Sequence, residues 1–91
     1  MLEPIYTTRF RKQFKLMKKR GMEMDKLVQV MDMIINEEPL PPNYHNHPLH
    51  GEWEGIFDCH IQGDWVLIYE PDQQSRTVAF HRTGTHSDLD L

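Results

Sequence analysis

The sequence is poor in cysteine, because Cys59 is the only one in 91 residues. A single thiol cannot form an internal disulfide or a four-cysteine zinc site, so we expect a reducing compartment. No apolar stretch approaches the roughly eighteen residues that a membrane-spanning helix needs, and the N-terminus lacks the pattern of a secretory leader. We therefore expect a cytoplasmic protein with no membrane partner.

Low-complexity segments are also absent, and the chain is short. With 38% hydrophobic and 26% charged residues, the composition is typical of a globular protein rather than a disordered one. A chain of this length has enough apolar side chains for one core only. We expect a single domain over residues 1–91.

Basic residues are scarce in the larger part of the chain. Residues 27–91 hold two Lys and Arg against eleven Asp and Glu, whereas residues 1–26 hold eight against three. The net charge of −4 therefore combines a basic block of +5 with an acidic remainder of −9. A basic block can bind an anionic partner, although a charged helix face is more often simply solvated.

Two amphipathic helices are predicted in the N-terminal half. The first begins at Thr7 or Thr8, which can cap it, and ends just before Gly21. Its apolar side has helical spacing: Phe10, Phe14 and Met17. The second begins near Asp25, an N-cap candidate, and Pro39 prevents its continuation. Its apolar stripe is Leu27, Val28, Met31, Ile34 and Ile35.

The segment between residues 38 and 51 contains four prolines, which exclude regular secondary structure and predict a stiff loop. Long loops of this kind often carry function. Three of the six histidines lie in this one: His45, His47 and His50.

Beyond the loop the hydrophobic period changes to two, which predicts three strands: 57–61, 65–70 and 76–82. In the first strand, Asp58 and His60 share one face. In the last, one face holds Val78, Phe80 and Arg82. A short strand at Ile5 and Tyr6 precedes the helices. The order predicts an α+β fold, in which a helical hairpin packs on one face of a three-stranded antiparallel meander.

The histidines allow two kinds of chemistry. His45, His47 and His50, with His86 or an acid as a fourth ligand, have metal-like spacing, but the loop prolines keep them off a common helix face, so we expect no metal. Metal-free acid and base catalysis is the alternative, because imidazole both takes and gives protons near neutral pH. Cleavage of RNA through its own 2′-hydroxyl needs a base, an acid and a cation such as Arg82 for the charged phosphorane. A single histidine is more often just a hydrogen-bonded polar residue.

Three motifs carry a family resemblance: HPLHG at 47–51, DCHIQGDWVLIY at 58–69 and RTGTH at 82–86. Together, in this order, they closely resemble the YafQ-type branch of the RelE/ParE toxin superfamily. The resemblance covers nearly the whole chain and implies a RelE-like fold with the same element order.

The activity implied by the resemblance is that of a type II toxin. Such a toxin is a ribosome-dependent mRNA endonuclease that cuts message in the decoding site without a metal or other cofactor. The implied partners are the ribosome, its mRNA and a cognate antitoxin, expected to be a ribbon-helix-helix protein. Operator DNA would be bound only through the antitoxin complex.

The resemblance also implies an active site: His47, His60, Asp64, Trp65, Arg82 and His86. We assign His86 as the general acid and either His47 or His60 as the base. Asp64 would orient a histidine, and Arg82 would hold the scissile phosphate. Trp65 would pack in the core or stack on RNA. Three histidines are left out as bystanders: His45, His50 and His81.

Two departures from the family pattern concern RNA binding. The family commonly has an aromatic residue near the C-terminus, whereas this chain ends in the acidic tail 87–91. Ribosome-binding toxins are also generally basic. We therefore expect ribosomal RNA to contact the first helix through its basic residues: Arg9, Arg11, Lys12, Lys15, Lys18 and Lys19.

Two other functions remain open from the sequence. ParE-like members of the superfamily inhibit DNA gyrase without chemistry, but they lack the histidines that this chain has. A catalytically degenerate toxin, kept for antitoxin binding and operon autoregulation, would be compatible with the acidic tail.

Overall fold

The computed structural model describes residues 1–90. Eight helices and strands follow one another along these residues: β1 Glu3–Tyr6, α1 Thr8–Lys19, α2 Met24–Ile35, β2 His47–Pro48, β3 Phe57–Gln62, β4 Trp65–Asp72, β5 Thr77–Thr85 and α3 His86–Leu89. Two short 3₁₀ turns, Pro42–Tyr44 and Gly51–Trp53, flank β2. Within residues 1–90, none of the helices is long and apolar enough to cross a membrane.

The strands form one mixed sheet in the order β1-β5-β4-β3-β2. The predicted meander is present as β3, β4 and β5, which pair antiparallel. β1 adds to one edge in parallel with β5, and β2 adds to the other edge antiparallel to β3. The α+β class and the element order are therefore confirmed, with a fifth strand that the sequence did not predict.

α1 begins as predicted, because Thr7 is its cap. The Thr7 hydroxyl accepts a hydrogen bond from the Phe10 amide at 3.0 Å, and it lies 3.1 Å from the carbonyl oxygen of His81 in β5. The cap therefore joins the start of the helix to the sheet. The helix ends at the predicted place, where Gly21 has a φ of 81° that disfavours other residues.

α2 differs from the prediction at its start and along its buried side. Glu23 is the N-cap and makes no side-chain capping bond, so the assignment of Asp25 as the cap is wrong. Val28 is 41% exposed, and Val30 is buried in its place. The reason is helical geometry, since Val30 lies three residues after Leu27 and four before Ile34, on the same side of the helix.

Both long helices pack on one face of the sheet. Their buried side chains join a single core cluster: Phe10, Met17, Leu27, Val30, Met31 and Ile34 from the helices, and Cys59, Ile61, Trp65, Leu67, Tyr69, Val78 and Phe80 from the sheet. Burying each large apolar side chain contributes about 1.5–3 kcal/mol. The opposite sheet face, called the open face below, carries a smaller cluster of Val66 and Ile68 with Leu89 of α3.

A bulge in β5 overturns the predicted facing of Arg82. Phe80 pairs with Tyr69, whereas Arg82 pairs with the next residue, Ile68, so that His81 is an extra residue in the strand. Because an extra residue shifts the alternation by one, Phe80 points to the helices and Arg82 points to the open face. The expectation that Arg82 shares a face with Phe80 is wrong for this reason.

The proline-rich segment also contains more structure than predicted. His47 and Pro48 form β2, with His47 opposite Asp58 and Pro48 opposite Phe57. A proline is tolerated here because β2 is an edge strand. This pairing places His47 beside β3 rather than on a free loop.

Candidate active site

Imidazole rings from three separate parts of the chain meet at one end of the open face. His60 pairs with Val66 and therefore lies on the open face of β3. Its ring centroid is 5.4 Å from that of His86, at the start of α3, and 5.4 Å from that of His45, before β2. Both neighbouring rings are edge-on to His60. The predicted meeting of His60 and His86 is therefore present in the structure.

Asp58 links the fourth imidazole to this group. Its Oδ1 atom lies 3.4 Å from His47 Nδ1 and 4.0 Å from His60 Nε2. The residue is only 6% exposed, and within residues 1–90 its buried Oδ1 accepts no hydrogen bond. A buried carboxylate with free lone pairs is unfavourable unless a positive charge or donor faces it. We call these five residues the histidine cluster: His45, His47, Asp58, His60 and His86.

Backbone contacts fix the position of His86. Its amide donates to the carbonyl oxygen of Asp64 in the β3–β4 turn at 3.1 Å. Thr85 caps α3 by accepting from the Asp88 amide at 3.2 Å, and its own amide donates to Asp88 Oδ2 at 2.9 Å. This reciprocal capping box holds the short helix against the end of β5.

The acidic C-terminal tail is partly neutralised by Arg20, the residue that follows α1. Arg20 donates two hydrogen bonds to the Asp88 carboxylate, at 2.7 and 2.9 Å. These bonds, and that from the Thr85 amide, hold the pKa of Asp88 well below its usual range. Asp88 therefore already has a cationic partner within the protein. Leu91, the last residue of the tail, lies outside the described residues.

Asp64 and Trp65, two of the predicted site residues, lie beside the cluster without presenting their side chains to it. Asp64 is exposed in the turn, and within residues 1–90 its carboxylate forms no hydrogen bond or ion pair, so the carboxylate near the histidines is that of Asp58. Trp65 is 0% exposed, and its Nε1 donates to the Thr83 hydroxyl at 2.9 Å. Of the two roles considered for Trp65, the structure supports packing in the core. The alternative, stacking on RNA, does not fit, because no part of the ring is accessible.

Arg82 faces the open side two strands away from Asp58. Ile68 lies between them, opposite Asp58 on one side and opposite Arg82 on the other. Arg82 Nη1 lies 3.4 Å from the carbonyl oxygen of Leu89, and its buried Nε has no hydrogen-bond partner among residues 1–90. Much of the guanidinium's donor capacity is therefore free for an oxyanion.

The three histidines left out of the predicted site have different positions. His45 lies in the cluster, because its ring meets that of His60, and the sequence did not indicate this position. Its backbone is left-handed, with a φ of 47°, a conformation that no sequence pattern here indicated. His81 lies 2.9 Å from the Glu70 carboxylate, and His50 is exposed. The sequence did contain a signal for Asp58, because it lies two residues before His60 in a strand of period two, which puts both side chains on one face.

The basic residues of α1 form an exposed surface. All six that were predicted to bind phosphates are exposed, and within residues 1–90 none of them forms an ion pair: Arg9, Arg11, Lys12, Lys15, Lys18 and Lys19. Arg20 is different, because it binds Asp88. The charge of this surface is therefore not neutralised by the described part of the protein.

Neither a metal site nor a reactive thiol is apparent in the part of the chain that the structure describes. Residues 1–90 contain no group of three or more His, Cys, Asp or Glu side chains placed to hold a metal ion. Cys59 is buried, and burial raises the pKa of its thiol to about 12. The groups available for chemistry are imidazoles, one buried carboxylate and one guanidinium.

Comparisons with known proteins identify the family. A sequence model of the family described as "Bacterial toxin of type II toxin-antitoxin system, YafQ" matches residues 2–91. The "mRNA interferase toxin YafQ" of Escherichia coli strain K12 is 42% identical over 85 residues, covering 92% of this chain and 90% of that protein. A crystal structure of the E. coli DinJ-YafQ complex matches with a TM-score of 0.90 at 40% identity, covering 98% of each chain. A crystal structure of a metal-bound toxin from Helicobacter pylori matches with a TM-score of 0.91 at 34% identity, covering 98% of this chain and 99% of that one. The resemblance predicted from the three motifs is thus confirmed, and the chain belongs to the YafQ family of bacterial toxins of type II toxin-antitoxin systems.

Proposed function

We propose that this protein is an mRNA interferase, an endoribonuclease that cuts translated message on the ribosome and so inhibits translation. The proposal is supported by its family, by the name of its E. coli relative and by the histidine cluster. It would act in the cytoplasm as the toxin of a type II toxin-antitoxin pair.

The reaction that fits the cluster is attack by the RNA on its own phosphodiester. A base takes the proton of the 2′-hydroxyl, the 2′-oxygen bonds to phosphorus, and the bond from phosphorus to the 5′-oxygen breaks. A general acid gives the leaving oxygen a proton. The products are a 2′,3′-cyclic phosphate and a 5′-hydroxyl, so protons and bonds balance without a cofactor. Each proton-transfer group typically contributes about 10²- to 10⁴-fold.

The positions of the side chains suggest their roles. His86 acts as the acid, and either His60 or His47 acts as the base. Asp58 lies between His47 and His60, where its negative charge faces the positive charge that the base acquires with the proton. Arg82 donates to the charged phosphorane.

The remaining predicted residues would support this site indirectly. The Asp64 carbonyl accepts from the His86 amide, and Trp65 packs beneath the open face. A structural neighbour is described as metal-bound. Because residues 1–90 contain no suitable group of three ligands, no step is assigned to a metal.

Ribosome binding would depend on the basic surface of α1. Exposed lysine and arginine side chains without internal partners can contact ribosomal RNA phosphates and release counterions. The rest of the chain is acidic and would be repelled by RNA, which limits the orientations in which the toxin can dock.

The proposed protein partner is a cognate antitoxin. The matching E. coli YafQ structure is a complex with DinJ. By analogy, we propose that an antitoxin, expected to be a ribbon-helix-helix protein, binds this chain, and that operator DNA is bound only through that complex.

The observation that carries the proposed function is the approach of the His60 and His86 rings to 5.4 Å. Primer extension on translated message tests it with the wild type and with His60→Ala and His86→Ala. We expect both variants to fold, as judged by circular dichroism, and to lose at least about 10²-fold in cleavage. Growth arrest that persists in folded His86→Ala would overturn the nuclease proposal in favour of a non-enzymatic inhibitor of DNA gyrase. A wild type that binds an antitoxin but neither cuts message nor arrests growth would indicate a degenerate toxin.

A further inference from the structure

A cavity of about 750 Å³ lies on the open face, adjoining the histidine cluster. Its floor is apolar and its rim is cationic: Ile56, Ile68, Leu89 and Trp53 supply apolar surface, and Arg9 and Arg82 supply charge. Ile68, in the floor, lies directly opposite Asp58 of the cluster. A chain of RNA whose scissile phosphate lies at the cluster would therefore reach the cavity with a neighbouring nucleotide. We call this space the Trp53 cavity.

Trp53 itself is unusually accessible for its size. Its side chain is 57% exposed, whereas the other tryptophan, Trp65, is completely buried. Trp53 is the last residue of the 3₁₀ turn that begins at Gly51, and Gly55 follows two residues later. Both glycines have left-handed backbones, with φ of 72° at Gly51 and 89° at Gly55. Backbones of this kind favour glycine, so the local sequence fixes the turn that presents the ring. An exposed indole offers a flat face on which any nucleobase can stack.

The charges around the cavity favour a phosphate group. The Arg82 Nε atom is buried and has no partner among residues 1–90, and Arg9 forms no ion pair there. Asp90 also lines the cavity and opposes anion binding, and His81 lines it with Glu70 as its partner. Two guanidinium groups line the cavity against one lining carboxylate, that of Asp90, and Glu70 faces His81, so the rim keeps an excess of positive charge.

We propose that the Trp53 cavity is a nucleotide subsite, in which the base next to the scissile phosphate stacks on Trp53 and the next phosphate binds Arg9, while Arg82 holds the scissile phosphate itself. The inference rests on the proposed nuclease function and deepens it. It assigns Trp53 a role in substrate binding, separate from the proton transfers of the histidines.

Binding and cleavage can be measured separately, so that the two proposals fail independently. The binding probe is a single-stranded oligodeoxynucleotide, which lacks the attacking 2′-hydroxyl and cannot be cut. We expect it to quench the fluorescence of Trp53, with Trp65 as a constant background. Trp53→Leu should lose the quenching and weaken binding about five- to hundredfold, and Trp53→Phe, which keeps a ring, should retain most of the affinity.

Arg9 and Arg11 provide a matched pair of charge variants on α1. Arg9 lines the Trp53 cavity, whereas Arg11 lines a separate groove with Tyr6 and Phe14. Arg9→Gln should weaken oligonucleotide binding and flatten its salt dependence by the equivalent of about one phosphate contact. Arg11→Gln should affect both less than Arg9→Gln does, because Arg11 lies outside the cavity. Equal effects of the two substitutions would overturn the assignment of Arg9 to the subsite.

Cleavage of translated message completes the test. Trp53→Leu should raise KM at least about fivefold with kcat within about threefold of wild type, whereas His86→Ala should abolish cutting and still quench. If His86→Ala abolishes cutting but Trp53→Leu has wild-type KM and the wild type shows no quenching, the subsite is wrong and the nuclease stands. If the wild type cuts nothing but quenching depends on Trp53, the nuclease is wrong and the nucleotide site stands.

Discussion

Asp58→Asn tests whether a buried charge supports the cluster. The substitution keeps the size of the side chain but removes the negative charge that faces His47 Nδ1 at 3.4 Å and His60 Nε2 at 4.0 Å. Because Asp58 Oδ1 accepts no hydrogen bond within residues 1–90, the folded protein loses little when the charge is removed. An unpaired buried charge costs stability, so we expect the Tm to stay constant or rise.

The expected loss of activity follows from the two distances and the exposure of the partners. His47 is 55% exposed, so its attraction to Asp58 is largely screened, while His60 is 30% exposed and less screened. Two opposite unit charges about 4 Å apart attract by about 1 kcal/mol in bulk water and by about 4 kcal/mol near a protein surface, so we take about 1.4–2.8 kcal/mol for this partly screened contact. At 1.36 kcal/mol for each factor of ten, kcat/KM should fall about 10- to 100-fold.

Asp64→Asn is the matched control, because Asp64 is the acid that the sequence had assigned to the site. Its exposed carboxylate has no partner within residues 1–90, and its carbonyl contact with His86 survives the substitution. We expect cleavage within about threefold of wild type. A thermal melt separates catalysis from structure: Asp58→Asn should lose cleavage at an unchanged or higher Tm. Wild-type cleavage by Asp58→Asn, with strong loss in Asp64→Asn, would refute the role given to Asp58.

Three further predictions concern stability and ribosome binding. Asp88→Asn should lower the Tm by about 4–8 °C at pH 7, for a loss of about 1 kcal/mol. Because bonding to Arg20 lowers the folded-state pKa of Asp88, that stability is present above the unfolded pKa of about 4 and is lost as the pH falls from there through the folded-state pKa, so the two melting curves should approach each other with falling pH. Gly84→Ala would place a Cβ 3.0 Å from the Asp88 Cβ and 3.3 Å from Leu89 Cδ2, so it should destabilise by about 1–3 kcal/mol in denaturant titration and reduce cleavage by displacing His86. The combined change of Lys12, Lys15 and Lys18 to Glu should weaken ribosome pelleting and flatten its salt dependence, and binding unaffected by it would exclude docking through α1.

The sequence predicted the scaffold well because its signals are local. Helical spacing located α1 from its cap at Thr7 to Gly21, and a run of apolar residues located β4 as the central strand. The same method assigned the cap of α2 to Asp25 instead of Glu23, and it assigned Val28 rather than Val30 to the buried side. These errors occur where the choice between adjacent positions depends on which side of a helix meets the sheet, which is a tertiary property.

The candidate site was less predictable because its positions depend on long-range pairing. From the motifs we predicted that His47, His60 and His86 belong to one site and that Asp64 orients a histidine. The carboxylate that lies near the histidines is instead that of Asp58. The pairing of β2 with β3, which puts His47 opposite Asp58, depends on a two-residue strand that contains a proline. Such a strand is too short to show a period, so no local pattern indicated it.

The bulge in β5 explains how one strand can serve both the core and the site. With regular alternation, Arg82 would point the same way as Val78 and Phe80, into the apolar core, where an unpaired guanidinium is strongly unfavourable. The extra residue, His81, turns Arg82 to the open face while Phe80 stays in the core. After the bulge, Thr83 takes the inward position and meets Trp65 through a hydrogen bond rather than apolar contact alone. The bulge therefore leaves His81 unpaired and places a cation on the sheet face that carries the histidine cluster. The hydroxyl of the inward-facing Thr83 is hydrogen-bonded to Trp65, which belongs to the second family motif.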